Sequence, residues 1–332
     1  MGLVAAGAAR PADRTSLCDD HGVQRQRGLD ALVVLALFHR VLVELSGRGA
    51  ERWAAVPRAR PPTLNRMDRL WIEMDGLANL RDVGGLPTQD GGKILPGRLL
   101  RSDNLQDLTE RDVEVLLGLG LTDVVDLRSD YEIDVEGPNR LTDQGSVRIH
   151  AHSMFREWRE GVGQDKPDVR PEVLPAEALP WVDLEPSVDL DNDMAATYLS
   201  YLVDRPDSVL AALRAIGQAS GAVLVHCAAG KDRTGTIVAL ALLLAGAERD
   251  AVIADYAASS ERVEGVVNRL MASATYVDNL RDRPLSSHLS RPESMSSLLD
   301  HVEETYGGVA NLLSHIGWTE GDTSRIRAKL RD

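Results

Sequence analysis

Between Ala222 and Gly235 the chain reads Ala-Val-Leu-Val-His-Cys-Ala-Ala-Gly-Lys-Asp-Arg-Thr-Gly. A short apolar run ends on His226-Cys227, five residues separate Cys227 from Arg233, and an almost wholly apolar stretch continues from Thr234 to Ala245. Strand, loop and helix in that order can build an anion site. A loop carried from a strand end to a helix N-terminus turns successive backbone N–H groups toward one point, and the helix dipole adds partial positive charge there. Gly230 allows such a loop to close tightly. The same field favours the thiolate at Cys227, the reactive form of cysteine. Arg233 can lay its planar fork on two oxygens of a phosphate, in the ground state and in the transition state. Thr234 is placed to donate its hydroxyl to the cysteine sulfur and ease its departure from phosphorus.

Rival chemistries for these residues fail on spacing. A buried structural thiol is the ordinary fate of an isolated cysteine, but it does not explain His226, Gly230, Arg233, Thr234 and Gly235 together. His226 reads as a residue that holds the loop through hydrogen bonds, since a ready thiolate needs no base. A zinc site on His226-Cys227 lacks further ligands at usable spacing. A nucleotide-binding loop needs glycine at position 225 and Ser or Thr after the lysine, where the chain has Val225 and Asp232. Asp189, Asp191 and Asp193 mimic the start of a calcium loop, yet Met194 and Ser200 occupy the positions for its glycine and glutamate. His150 and His152 alternate as on a strand and read as its polar face ahead of a metal pair.

The surrounding segments read as an α/β layer structure. Asp90-Gly91-Gly92 is a hairpin signal between Leu86-Pro87-Thr88 and Lys93 to Leu100. Thr109 with Asp112 three residues on marks a capped helix start, after which Val113, Leu116 and Leu117 face inward until Gly118 and Gly120. Thr122 to Leu127 and Val147 to His152 are buried strand candidates. Asp126 with Arg128, and Arg81 with Asp82, read as buried polar pairings, the former at a sheet edge; Arg101 could reach a substrate phosphate. Residues 156 to 193, rich in Pro, Asp and Glu, read as a long loop or lid. Helical periodicity returns at Met194 to Leu202 and Ser208 to Ala219, and helices with breaks at Gly307-Gly308 and Gly317 follow Gly246 to the end. The expected fold is a single α/β catalytic domain. Its sheet is mixed and mainly parallel, with helices on both faces and helical additions over the cleft.

Composition sets the bounds. The chain has 332 residues, 43% of them hydrophobic, enough for a folded core. Of 37 basic residues only four are lysine, at 93, 166, 231 and 329. Formal net charge is −14, made of +4 over residues 1–66 and −18 over residues 67–332, a balance that does not suit a nucleic-acid binder. The longest apolar run, Leu32 to Leu45, is broken by His39, Arg40 and Glu44, so no integral membrane span is expected. Two cysteines, Cys18 and Cys227, cannot make a disulfide framework and suit a reducing compartment or a single working thiol. With no export signal recognised, a cytoplasmic location is expected. Residues 1–66, rich in Ala, Arg and Gly, read as an extension, disordered or created by a misassigned start, and residues 67–332 as the catalytic domain.

The segment His226 to Gly235 resembles the HCxxGxxR(S/T)G signature of cysteine-dependent phosphatases. Asn79-Leu80-Arg81-Asp82-Val83-Gly84-Gly85, Pro96 to Ser102, Asp126-Leu127-Arg128-Ser129 with Glu132, and Glu304-Thr305-Tyr306-Gly307-Gly308 narrow the likeness. They resemble the bacterial tyrosine-protein phosphatase family typified by mycobacterial protein tyrosine phosphatase B, over about residues 75 to 331. That resemblance implies hydrolysis of phosphomonoesters through a phosphocysteine, with no cofactor and no metal. Substrates would be phosphotyrosine proteins, often phosphoserine or phosphothreonine proteins, and in several members phosphoinositides. Cys227 would be the nucleophile and Arg233 the phosphate clamp, with Ala228, Ala229, Gly230, Lys231 and Thr234 binding the substrate. Lys231 also suits a substrate bearing extra phosphates. For the general acid Asp232 leads, with Asp183 next and Glu157, Asp189 or another carboxylate of the lid behind. Two rivals stand beside this reading, a phosphoinositide phosphatase and a phosphate-binding pseudophosphatase.

Overall fold

Residues 70–155 and 186–331 are described by a computed structural model of the chain. The readings of Cys18, Leu32 to Leu45, Glu157 and Asp183 lie outside them. Among the described residues six strands form one sheet: β1 (Leu70–Trp71), β2 (Arg81–Asp82), β3 (Leu99–Ser102), β4 (Leu121–Asp126), β5 (Arg148–Ala151) and β6 (Ala222–His226). Their order is β1-β2-β3-β6-β4-β5. The four strands from β3 to β5 run parallel, and β1 and β2 add an antiparallel margin, so the sheet is mixed and mainly parallel as expected.

The central strand, β6, is buried along its whole length. A parallel strand covered on both faces needs an unbroken apolar run, which Ala222 to Val225 supplies. Side chains alternate across the sheet. Leu99, Val125, Val223 and Val225 enter one core cluster, and Leu100, Val124, Ala222 and Leu224 enter another.

The helices are α1 (Glu110–Gly118), α2 (Asp130–Glu136), α3 (Asp193–Asp204), α4 (Pro206–Gln218), α5 (Asp232–Leu244), α6 (Arg249–Ala258), α7 (Val263–Met271), α8 (Val277–Leu280), α9 (Pro292–Tyr306), α10 (Val309–Ser314) and α11 (Glu320–Leu330). Among the described residues none is long and apolar enough to cross a membrane. Helices cover both faces unevenly: α3 to α6 and α9 to α11 contribute to the first cluster, α1 to the second. The cap read at Thr109 is present in full, its side chain accepting from Asp112 N while the Asp112 carboxylate accepts from Thr109 N. α5 is sheathed on every side, which its continuous apolar sequence anticipates.

One local reading holds and two need correction. Asp90 to Gly92 turns the chain as a hairpin, with Gly91 at φ +85°: the bridge Pro87–Lys93 joins its arms, and so do the backbone bonds from Thr88 N to Gly92 O at 3.0 Å, from Ile94 N to Leu86 O at 2.9 Å and from Gly85 N to Ile94 O at 2.8 Å. β5 is not a buried strand: it lies at the sheet edge with β4 as its one neighbour, and Arg148, Ile149 and Ala151 are exposed. Asp126 and Arg128 do pair, Nη2 lying 2.7 Å from Oδ2, yet at the C-terminal end of an interior strand and not at the sheet edge.

Candidate active site

β3, β4 and β6 end level with one another, His226 standing in register with Ser102 and Asp126. Crevices at the C-terminal ends of parallel strands, where strand order reverses direction, are the usual ligand sites of open α/β sheets. The loop from Cys227 to Lys231 leaves β6 at this place and enters α5 at Asp232. Gly230 adopts φ +69°, and a Cβ at that position would fall 2.3 Å from the carbonyl oxygen of Ser102. Only glycine fits that approach.

The loop is fastened from outside by its carbonyls. Ala228 O accepts from Asn104 N at 2.9 Å, Ala229 O and Gly230 O accept from Asn79 Nδ2 at 3.1 and 3.2 Å, and Gly230 O also accepts from Arg101 Nη2 at 2.9 Å. In a trans peptide the next N–H points opposite the carbonyl. The amides of Ala229, Gly230 and Lys231 are therefore turned away from these partners. For Gly230 the result is a hydrogen bond from its N–H to Cys227 Sγ at 3.3 Å.

Arg233 lies on the first turn of α5 and is buried with its partner Glu132. Nη1 donates to Glu132 Oε2 at 2.7 Å and Nη2 to Oε1 at 3.0 Å. Burial works against the guanidinium charge, but Glu132 and Cys227 outweigh it and hold Arg233 protonated well beyond the ordinary range. The Phe155 ring lies 4.9 Å from its Cζ. Glu132 is set by the cap of α2, accepting from Ser129 N at 2.8 Å, and by Tyr276, whose hydroxyl donates to Oε1 at 3.1 Å.

Asp232 opens α5 beside the loop. Its Oδ1 accepts from the Tyr198 hydroxyl at 2.7 Å, and its Oδ2 lies 3.0 Å from Lys231 Nζ. Burial, then the charge of Asp232, push the Tyr198 phenol well above its ordinary range, so it remains a donor. The Tyr198 and Tyr256 hydroxyls meet at 2.6 Å. Of the other carboxylates weighed for the acid, Asp189 is exposed, and Glu157 and Asp183 lie outside the described residues.

His226 holds the position expected of it. Its Nδ1 is 3.3 Å from Cys227 O, and its Nε2 stands 3.5 Å from Asp126 Oδ2 without hydrogen-bond geometry. Burial, against the opposing pull of Asp126, lowers its pKa to about 4, so the ring is neutral near pH 7.

Three expectations change. Thr234 is fully buried and its Oγ1 has no hydrogen-bond partner among the described residues, so the bond to the Cys227 sulfur is not made; the Gly230 amide holds that sulfur instead. Arg101 does not face the cradle. It is buried behind the loop, bonding Gly230 O and, at 2.5 Å, the Asp255 carboxylate. Arg81 and Asp82 do not pair: Arg81 Nε bonds Asp255 Oδ1 at 2.8 Å, and Asp82 accepts from Gly84 N and Gly97 N. His150 is held by Asp123, 2.9 Å from Oδ1.

Helical additions do cover the loop. Val266 and Leu270 of α7, Tyr276, and Leu280 of α8 pack with Ala228 and Ala229. Sequence reading assigned no role to Asn79, Glu132, Tyr198 or Asp255. Only Glu132 carried a local signal, the Ser129-x-x-Glu132 capping box, and that speaks of a helix start and not of Arg233.

Comparison with known proteins gives concordant matches. The tyrosine phosphatase family matches residues 72–332. The triple specificity protein phosphatase PtpB of Mycobacterium tuberculosis is 30% identical over 280 residues, 78% of this chain and 98% of that protein. A tyrosine-protein phosphatase of Nostoc commune is 26% identical over 237 residues, 70% of this chain and 73% of that protein. Among solved structures, Pseudomonas aeruginosa TpbA aligns with 60% of this chain and 87% of its own at 17% identity, with a TM-score of 0.25, too loose a match to bear on the fold.

Proposed function

The chain belongs to the tyrosine phosphatase family, and from that premise we propose that it dephosphorylates phosphotyrosine proteins, and phosphoserine or phosphothreonine proteins, through a phosphocysteine at Cys227. The observation that carries the assignment of residues is the loop between β6 and α5, with Cys227 Sγ held by the Gly230 amide and Arg233 entering the helix behind it.

In this reading the Cys227 thiolate attacks phosphorus in line. The S–P bond forms as the bond to the leaving oxygen breaks, and Asp232 gives that oxygen its proton. Water then attacks the phosphocysteine and releases inorganic phosphate and the thiolate, with Asp232 taking up the water's proton. The amides of the loop, at Ala228, Ala229, Gly230 and Lys231, receive the equatorial oxygens. Arg233 has five N–H hydrogens; bonds to Glu132 and to Leu127 O use three, which leaves two for the phosphoryl group. Lys231, 3.0 Å from Asp232 Oδ2, stabilises the Asp232 carboxylate once it has given up its proton. Thr234 contributes through its place in the first turn of α5.

Residues 67–332 would form the catalytic domain, and residues 1–66 an extension not needed for turnover. A cytoplasmic setting belongs to the same proposal, since the reaction needs Cys227 reduced. No observation favours a phosphoinositide substrate.

The test is phosphate release from phosphotyrosine, phosphoserine and phosphoinositide substrates in EDTA, with Cys227→Ser as control. Turnover that needs Cys227 and is fastest on the tyrosine peptide is expected. Full activity in Cys227→Ser would end the covalent reading; preference for the lipid would replace the substrate class. Binding of the peptide without turnover would point to a pseudophosphatase.

A further inference from the structure

Behind the loop lies a buried polar cluster that the reaction as described does not use. Asp255, on α6, accepts from Arg81 Nε at 2.8 Å and from Arg101 Nη1 at 2.5 Å. Arg81 Nη1 donates to Asn79 Oδ1 at 2.7 Å, and its Nη2 donates to Asp255 O at 2.7 Å and Ser259 Oγ at 3.1 Å. Asn79 and Arg101 then reach the carbonyls of Ala229 and Gly230. Arg81, Arg101 and Asn79 are all almost completely buried.

Burying two guanidinium groups for one carboxylate is costly, and a structural need would be met more cheaply by apolar packing. The cluster's geometry shows what it does instead. A guanidinium has its donors in one rigid plane, so the Asp255 bond to Nη1 fixes where Nη2 goes, and Nη2 goes to Gly230 O. The peptide from Gly230 to Lys231 cannot flip while that bond holds, and its N–H stays turned toward the cradle. Asn79, oriented by Arg81, holds the preceding peptide in the same sense.

We infer that Arg101 and Asp255 are positioning residues for phosphoryl transfer, Asp255 aiming Arg101 and Arg101 fixing the Gly230 carbonyl so that the loop amides face the phosphate. Neither touches substrate. The inference rests on the phosphatase reading and deepens it, because it makes the oxyanion affinity of the loop depend on a carboxylate 28 positions beyond the nucleophile.

The test uses the full chain with Asp255→Asn, Arg101→Lys and the double variant. It measures kcat and KM on a simple aryl phosphate and Ki for tungstate, a tetrahedral dianion. Loss of one oxyanion donor costs about 10²- to 10³-fold in rate. We expect kcat/KM to fall by about 10²-fold in each single variant, with KM and the tungstate Ki rising together about tenfold. The double variant should be no worse than the poorer single one, since the two act in series. A merely structural role leaves fewer folded molecules, lowering the maximal rate while KM and Ki stay put; that result overturns the inference. Should Asp255→Asn not fold, Arg101→Lys, which keeps a cation opposite Asp255, gives the same readout. Wild-type protein without Cys227-dependent turnover would overturn the phosphatase reading and this inference with it, a failure visible before any variant is made.

Discussion

Glu132 closes on Arg233 with both carboxylate oxygens, at 2.7 and 3.0 Å, across 101 positions of sequence. The same carboxylate caps α2 and receives the Tyr276 hydroxyl from the covering helices. One side chain thereby joins the cap of α2, Arg233 and the cover over the site.

Glu132→Gln keeps the shape and removes the charge. Leaving a buried guanidinium without its partner costs about 3 to 5 kcal/mol, and a displaced clamp costs about 10²-fold in rate. Urea unfolding should show the first loss and kcat/KM on an aryl phosphate the second. Kinetics within threefold of wild type would mean that Arg233 holds its own orientation.

For Asp232, leaving-group dependence is the discriminating measurement. A general acid contributes about 10²- to 10⁴-fold when the leaving oxygen is basic, and little when it departs readily. Asp232→Asn should therefore lose far more activity on phenyl phosphate than on p-nitrophenyl phosphate. Tyr198→Phe, which removes the 2.7 Å bond to Oδ1, should show the same pattern at about a tenth of the size. Equal losses on both substrates would move the acid to another carboxylate.

Gly230→Ala places a Cβ against the backbone oxygen of Ser102 in a residue at φ +69°. Backbone cannot yield as a flexible side chain can, and the αL strain adds about 1 to 2 kcal/mol. Tungstate inhibition should weaken by at least about tenfold and turnover should fall by about 10² or more, as for a lost oxyanion donor. An alanine variant with wild-type tungstate affinity would show that the loop has room to shift.

His226 gives a stability prediction with a definite sign. Burial lowers its pKa from 6.5 to about 4 in the folded chain, so below pH 6.5 the unfolded chain binds the extra proton. The stability of the neutral buried ring is complete above pH 6.5 and drains away as pH falls toward 4, by about 3 kcal/mol from this residue. Chemical denaturation at pH 7, 5.5 and 4 should show that decline, and His226→Asn should flatten it. An equally steep decline in the variant would assign it to other groups.

Much of the site is local, and locality made it legible. Cys227, Gly230, Arg233 and the start of α5 lie within a few residues of one another. Their consequences follow from backbone directions at one strand end and one helix N-terminus, and the Thr109 cap and the apolar run of β6 are equally short-range. The misread pairs share the opposite property. Arg81 and Asp82 are neighbours in the chain, but adjacent residues on a strand point to opposite faces, so they could not pair, and Arg81 reaches Asp255 instead. β5 reads as a buried strand by pattern, but whether a strand lies inside a sheet or at its margin depends on which other strands flank it.

By itself the sequence determined the Cys227-to-Arg233 segment between an apolar strand and an apolar helix, and the mainly parallel sheet that holds it, because each is written in residue types a few positions apart. Only the tertiary structure decided that Glu132 orients Arg233, that Tyr198 holds Asp232, and that Arg101 sits behind the cradle and not inside it. Those bonds join residues 34 to 129 positions apart. Such partners are chosen by the packing of whole elements and by the need of buried charges and carbonyls for mates, which no local pattern records.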